Sequence, residues 1–297
     1  MSHILVLVSS SAAHPLGQGD LDGVADFLHA RGIESMGDVV WLGEDKAAKI
    51  AVSQALDYDA MVGLRAVLAA AKIDALCVAA DQPALKLALF DMDSTIVDAE
   101  TLDEMAEMAG VGAEVKAITH QAMVEGADFD TALRKRLIKL KGVNADGLLA
   151  PVYAGMAFND GAQDLIAGLK RRGVRCVLVS GGFTYFTERV AALLDMKWHH
   201  GNVLGIDGDG GLTGGVVNDA DIVNGAKKAA HLAYYATKCG ADMRECMAMG
   251  DGSNDLPMMH AAELGIGYKP AVGGKVEAEM RNIIVHGDLS VALYCLT

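Results

Sequence analysis

The sequence predicts an α/β protein: a parallel sheet covered by helices on both faces, preceded by a smaller α+β unit. Three observations predict it. Short apolar runs of strand length recur down the chain, and most are followed by a stretch with helical spacing. Several of these runs end abruptly in polar or acidic residues, as strand ends do where they line the crevice of an open α/β sheet. The alternation breaks only once, between residues 99 and 157, where helical patterns succeed one another with no strand between them.

The first unit covers residues 1–82. His3–Val8 reads as a strand and Leu21–Ala30 as a helix, with apolar residues at 21, 24, 27 and 28 and a stop at Arg31-Gly32. Val39–Leu42 is strand-like, Ala60–Ala71 helix-like and Ile73–Ala79 a strand, with a further strand expected near Ala47–Gln54. This order suits a ferredoxin-like module and is similar to the ACT-type domains that bind amino acids ahead of catalytic domains. Two readings stay open for it: a regulator with an amino-acid effector, or a ligand-free dimerisation or stabilising unit. Asp81-Gln82-Pro83 links it to the second unit.

Residues 83–297 begin with the stretch around which the chain is organised. Leu85–Phe90 is apolar, and Asp91-Met92-Asp93-Ser94-Thr95 stands at its tip. Two acids one residue apart repel one another unless a proton or cation intervenes. A hard divalent ion such as Mg²⁺ suits an oxygen-rich site that handles phosphates. Helical patterns over Thr101–Ala109, Val115–Met123, Thr131–Leu140 and Leu148–Met156 then read as a cap over the site. A helix through Leu169 and a strand Val174–Val179 lead to Ser180-Gly181-Gly182-Phe183, with a helix from Thr184. Glycines at a strand-to-helix turn let backbone N–H groups approach an anion. A glycine-rich hairpin is expected around 205–214, then a helix Asn224–Lys238. The strand Cys246–Met249 ends in Gly250-Asp251-Gly252-Ser253-Asn254-Asp255, before a helix from Leu256 or Pro257. Leu264–Tyr268, Ile283–Val285 and Leu289–Leu296 complete the rhythm.

Composition narrows the function classes. Of 297 residues, 52% are hydrophobic, enough for a large core, and the net charge of −14 opposes nucleic acid or an anionic membrane as partner. The five cysteines are scattered with no Cys-x-x-Cys pair, which suits reduced thiols and a cytoplasmic protein. Ile4–Val8 is too short for a signal-peptide core and has no basic leader. No apolar run approaches the length of a membrane span.

Asp91/Asp93/Thr95, Ser180 and Asp251/Asn254/Asp255 thus stand at three strand ends, with Lys227 on the helix before the third. In this order they resemble the haloacid dehalogenase-like phosphatases. With Glu100, Leu133-Arg134-Lys135-Arg136 and Leu212-Thr213-Gly214 the chain is more closely similar to their phosphoserine phosphatase branch. The resemblance covers about residues 85–297 and implies a Rossmann-like three-layer sheet with a helical cap inserted after the first catalytic strand.

It also implies roles. Asp91 would be the nucleophile that forms an aspartyl-phosphate, and Asp93 the general acid and base. Ser180, Gly181 and Lys227 would hold phosphate oxygens. Mg²⁺ would sit on the Asp91 carboxylate, the Asp93 carbonyl and Asp251, with Thr95 and Asp255 orienting its surroundings. Asn254 would help to hold the phosphate or the attacking water. Lys228 is a rival for the lysine role; Lys227 is preferred by alignment of Asn-x-Ala-Lys. Glu100 would take the substrate's ammonium and Arg136 its carboxylate, and Met123, Phe129 and Gly182 would shape the pocket.

The reaction expected is hydrolysis of O-phospho-L-serine, the last step of serine synthesis. The alternatives are phosphoryl transfer to homoserine, another small phosphometabolite, or an amino-acid sensor or scaffold with a silent catalytic unit. A homodimer is a further expectation.

Overall fold

The structure, a computed structural model, describes residues 2–43, 45–119 and 128–296 in full, and the backbone of residues 120–125. In chain order the first elements are β1 (His3–Ser9), α1 (Gln18–His29), β2 (Val40–Gly43), β3 (Ala47–Val52), α2 (Tyr58–Leu68) and β4 (Ile73–Ala79). β5 (Leu87–Phe90) is followed by four helices, α3 (Thr101–Met108), α4 (Gly112–Glu125), α5 (Phe129–Leu137) and α6 (Asp146–Gly155). The alternation then resumes with α7 (Ala162–Arg171), β6 (Arg175–Phe183), α8 (Thr184–Leu193) and β7 (Trp198–Asn202). A hairpin of β8 (Leu204–Ile206) and β9 (Leu212–Val216) precedes α9 (Gly225–Cys239) and β10 (Cys246–Gly250). The chain closes with α10 (Leu256–Ala261), β11 (Leu264–Tyr268), α11 (Lys275–Glu279), β12 (Ile283–Ile284) and a 3₁₀ run, Leu289–Leu296.

Among the described residues the first strands form a four-stranded sheet in the order β2-β3-β1-β4, with every neighbouring pair antiparallel. Successive side chains of a strand point to opposite faces, and both faces of this sheet are buried. Leu5 and Leu7 pack with Leu21, Val24, Leu28, Met61 and Leu64 of the two helices. Val6, Val8, Leu76 and Val78 turn the other way and join the main core with Phe90 and Leu289.

The second sheet has six strands in the order β12-β11-β10-β5-β6-β7, all parallel. Here too the alternation builds two cores. Leu87, Leu89, Val177, Val179, Cys246 and Ala248 face α9 and α10, whereas Ala88, Phe90, Leu178, Met247 and Met249 face α7, α8 and the inserted helices. β5 lies between β6 and β10: the chain runs from it to β6 and β7 on one side and later returns to β10, β11 and β12 on the other. That is the switch point at which an open α/β sheet forms its crevice, and Asp91 is the first residue beyond it.

Three elements differ from expectation. β6 does not end at Val179: its register with β7 shifts between Val179 and Phe183, and this irregularity carries Ser180–Phe183 on as strand. β7 escapes sequence reading because Trp198-His199-His200-Gly201-Asn202 has no apolar alternation, its residues being mostly half-buried at a sheet edge. Leu289–Leu296, expected to complete the alternation of strands and helices, is a 3₁₀ run. Its Leu293 packs where Gly168 of α7 leaves room, since a Cβ there would come within 2.7 Å of the leucine.

All five cysteines are free, and four are buried. No helix of the described residues is long and apolar enough to cross a membrane.

The two sheets are joined by buried polar contacts. Asp74 of β4 is 2% exposed. Its carboxylate accepts backbone N–H groups of Val285 (2.7 Å), His286 (3.1 Å) and Gly287 (2.7 Å), and the Ser10 hydroxyl at 3.1 Å. Asn282 exchanges hydrogen bonds with the Cys77 backbone, and Tyr58 and Arg65 donate to the carbonyls of Glu277 and Arg281. Removing a buried acceptor that serves four donors, one bond buried and three part-buried, costs desolvation of those donors as well as the bonds. Asp74→Ala is therefore expected to lower unfolding free energy by about 3 kcal/mol, measured by denaturant titration. A loss below about 1 kcal/mol would refute this role for the carboxylate.

Candidate active site

The site is assembled at the carboxyl ends of β5, β6 and β10. Asp91 follows β5, and its backbone N–H is held by the Met249 carbonyl of β10 at 3.0 Å. The carboxylates of Asp91, Asp251 and Asp255 each offer an oxygen within 4.8 Å of the others. Glycines make that approach possible: a Cβ at Gly250 would lie 2.3 Å from the Asp255 carboxyl carbon, and one at Gly252 2.5 Å from Asn254 Oδ1.

Lys228 answers this cluster. Its side chain is wholly buried, and Nζ donates to Asp91 Oδ1 and Asp255 Oδ1, each at 2.6 Å. Burial works against the ammonium, yet the two carboxylates outweigh it and hold Lys228 above the ordinary lysine value. Burial and the charge of Asp91 raise Asp255, against the pull of the lysine. Lys227, chosen from the sequence, points away and pairs with Asp221 in a contact open to solvent. The correction was legible in periodicity. The buried face of α9 is Lys228, Leu232, Tyr235 and Ala236, spaced i, i+4, i+7, i+8, and Lys228 continues that stripe where Lys227 does not.

Asp93 sits beside the start of α3. Its Oδ1 accepts the Thr101 backbone N–H at 3.0 Å and its Oδ2 the Ser180 hydroxyl at 3.0 Å. Loss of solvent, then the charge of Asp91, pushes its carboxyl up to about 6 against these hydrogen bonds. Ser180 is fully buried and its Oγ also accepts the Gly182 N–H at 2.8 Å. A Cβ at Gly182 would meet Asp93 Oδ2 at 2.7 Å. Asn202 of β7 fixes this segment from behind by donating to the Gly181 carbonyl at 2.8 Å. Thr95 is buried and donates to Asp251 Oδ1 at 2.9 Å.

The inserted helices close over these groups. Phe129 opens α5 and reaches Gly181, where a Cβ would lie 2.5 Å from its ring. Asp130 accepts from the side chain of Asn224, the N-cap of α9, at 3.0 Å. Arg134, exposed, pairs with Asp219. Arg136 turns inward, with 14% of its side chain exposed. Loss of solvent lowers its pKa, while Asp103, Glu100 and Asp93 act in the opposite sense, Asp103 most. Glu100 accepts the Ser94 hydroxyl at 2.6 Å, with Ser94 in the left-handed region at φ 53°. Loss of solvent around its carboxyl, then the charge of Asp93, pushes Glu100 up to about 7.

The cleft thus brings together Asp91, Asp93, Thr95, Ser180, Gly181, Gly182, Asp251, Asn254 and Asp255, with Glu100, Phe129 and Arg136 around it. Met123 is on α4, and its side chain lies outside what is described. Ser94, Thr101, Asp103, Asn202 and Lys228 belong to the arrangement and were not assigned from the sequence. Apart from the stripe around Lys228, their motif neighbours carry no spacing that marks them.

A family model for haloacid dehalogenase-like hydrolases matches residues 88–260, more than half of the chain and all three strand ends of the cleft. The chain belongs to this family. It is 42% identical over 186 residues to a phosphoserine phosphatase of Albidiferax ferrireducens, covering 62% of this chain and 78% of that one. Against the phosphoserine phosphatase of Haemophilus influenzae it is 39% identical over 212 residues, covering 71% and 65%. Among solved structures, a haloacid dehalogenase family hydrolase of Salmonella enterica serovar Typhi aligns over 99% of this chain and 98% of its own, with a TM-score of 0.82 and 25% identity. A probable phosphoserine phosphatase of Vibrio cholerae aligns over 99% and 86%, with a TM-score of 0.76 and 29% identity.

The acidic cluster also fits a divalent cation. Its donors are hard carboxylate oxygens of the kind Mg²⁺ takes. Burial, then the charges of Asp91 and Asp255, pushes Asp251 from 3.8 up to about 8, so a proton sits where a cation would relieve the same repulsion.

Lys228→Met leaves two buried carboxylates without a counter-charge and should cost about 3–5 kcal/mol of stability. Lys227→Met, at an exposed pair, should cost less than about 1 kcal/mol. Denaturant unfolding of both variants checks this, and equal losses would reject the assignment. Stability should also depend on pH through Asp251. The folded chain keeps a proton there that the unfolded chain has lost, so without metal, stability falls as pH rises from about 4 towards about 8. A cation that displaces this proton should stabilise more as pH rises. The shift in melting temperature on adding Mg²⁺ should be larger at about pH 8.5 than at about pH 5.5; a shift independent of pH would contradict it.

Proposed function

We propose that the chain is a Mg²⁺-dependent phosphatase that hydrolyses O-phospho-L-serine to serine and phosphate through a phosphorylated aspartate. The observation that carries this reading is the pairing of two settings in one cleft: Asp91, Asp93, Ser180, Lys228 and Asp251 at the strand ends, and the oppositely charged Glu100 and Arg136 beside them. The first suits a phosphate, and the second suits an amino acid. The phosphoserine phosphatases among its relatives support the same substrate.

Asp91 attacks phosphorus and forms the aspartyl-phosphate. Lys228 holds Asp91 in position and offsets negative charge where the phosphoryl group arrives. Ser180 and the backbone N–H of Gly181 bind phosphate oxygens, and Asn254 helps to hold them or the attacking water. Asp93, with its carboxyl raised to about 6, gives its proton to the departing serine oxygen and later takes one from water. Asp91, the Asp93 carbonyl and Asp251 would hold Mg²⁺, with Thr95 and Asp255 orienting that set; the ion supplies charge neutralisation between nucleophile and phosphate. Glu100 binds the ammonium and the planar fork of Arg136 the carboxylate, and Phe129 and Gly182 bound the space between them.

Residues 1–82 are proposed to be a ferredoxin-like module of the ACT type, ahead of the catalytic unit 83–297. The β-α-β-β-α-β order and the antiparallel strand order support it.

Phosphate release from O-phospho-L-serine by the purified protein, with Mg²⁺ and with a chelator, tests the proposal. Release should need Mg²⁺ and vanish in Asp91→Asn. Arg136→Ala should lose ~2–5 kcal/mol of transition-state binding on phosphoserine but little on a phosphoester without a carboxylate. No release from phosphoserine, with turnover of another phosphoester, would reject the substrate.

A further inference from the structure

Asp103 has no assigned role, yet it is the acid paired with Arg136. It lies in the first turn of α3, three residues past Glu100, the N-cap of that helix. Its Oδ1 is 3.8 Å from Arg136 Nη1, longer than a charge-assisted hydrogen bond. That oxygen is buried and has no hydrogen-bond partner. Among the described residues the guanidinium makes one hydrogen bond, a 3.4 Å contact from Nε to the Ala132 carbonyl. Its ion pair within 4 Å is with Asp103, not with Glu100. Glu100 is instead held by the Ser94 hydroxyl.

A guanidinium with so few fixed bonds, in the field of Asp103 and, more weakly, of Glu100 and Asp93, has a choice of partner. If it paired with Glu100, the carboxylate meant for an ammonium and the fork meant for a carboxylate would cancel each other. Asp103, placed by the first turn of α3, where the helix dipole favours its negative charge, draws the guanidinium to its own side.

We propose that Asp103 is a positioning residue for specificity: it keeps Arg136 apart from Glu100, so that the acid stays open to the ammonium and the fork to the carboxylate of one zwitterionic substrate. This rests on the phosphoserine reading. It makes the selected class phosphomonoesters that carry both charges on the carbon next to the ester arm.

Steady-state kinetics of the full-length protein with Mg²⁺ test it. Asp103→Asn should raise KM for O-phospho-L-serine about tenfold and leave kcat within about twofold. KM for p-nitrophenyl phosphate, which carries neither charge, should not change. On a Glu100→Gln background, where the acid that competes for the arginine is already gone, Asp103→Asn should add less than about twofold. An unchanged KM for phosphoserine, an equal rise for both substrates, or a full effect on the Glu100→Gln background each overturns the proposal. Wild-type protein that cleaves p-nitrophenyl phosphate but not O-phospho-L-serine overturns the phosphoserine reading and this proposal with it, a result distinct from the other three.

Discussion

The structure depends on one buried ammonium. Three carboxylates whose oxygens approach within 4.8 Å cannot all be charged in a desolvated cleft, and Lys228 is the positive charge that lets two of them stand together. Its reach dictates the packing around it. Helix α9 must come close enough to the 250–255 loop that a Cβ at Gly225 would lie 2.9 Å from the Asn254 carbonyl oxygen. The same helix begins at Asn224, whose side chain caps it and also holds Asp130 of the inserted helices. The lysine, the acidic loop and the cover over the cleft are therefore positioned by one helix end.

Much of this was legible in the residues alone. Short apolar runs ending in acids mark β5 and β10, because a strand buried on both faces needs unbroken apolar residues and its polar tip must serve some purpose. The inserted helices are legible as an interruption of the rhythm. What the sequence hid is what tertiary contacts decide. Lys227 and Lys228 are the exception, chemically identical neighbours that the apolar stripe of α9, continued by Lys228, does tell apart. β7 carries histidines and a glycine because an edge strand is half-exposed and need not alternate. Ser180 reads as the start of a turn, yet a register shift keeps it in the strand. The partners of Glu100 and Arg136 come from loop closure and from facing helices, for which the chain carries no local spacing.

The four-stranded sheet is more than an attachment. Alternate residues of β1 and β4 belong to different cores, one with their own helices and one with the six-stranded sheet. A one-residue slip of β1 would exchange the two sets, so its register is specified from both sides. This explains the continuous burial of Leu5–Ser9, a pattern usual for a central parallel strand and here produced in an antiparallel one.

The contacts of Asp74 bear on how the chain is made. The carboxylate and the Val285 backbone it holds are 211 residues apart. Chains emerge from the ribosome amino end first, and early parts fold as they appear. The acid on β4 therefore lacks its three backbone donors until residues 285–287 have been synthesised. Residues 285–287, made later, then complete a site whose acceptor was made some two hundred residues earlier.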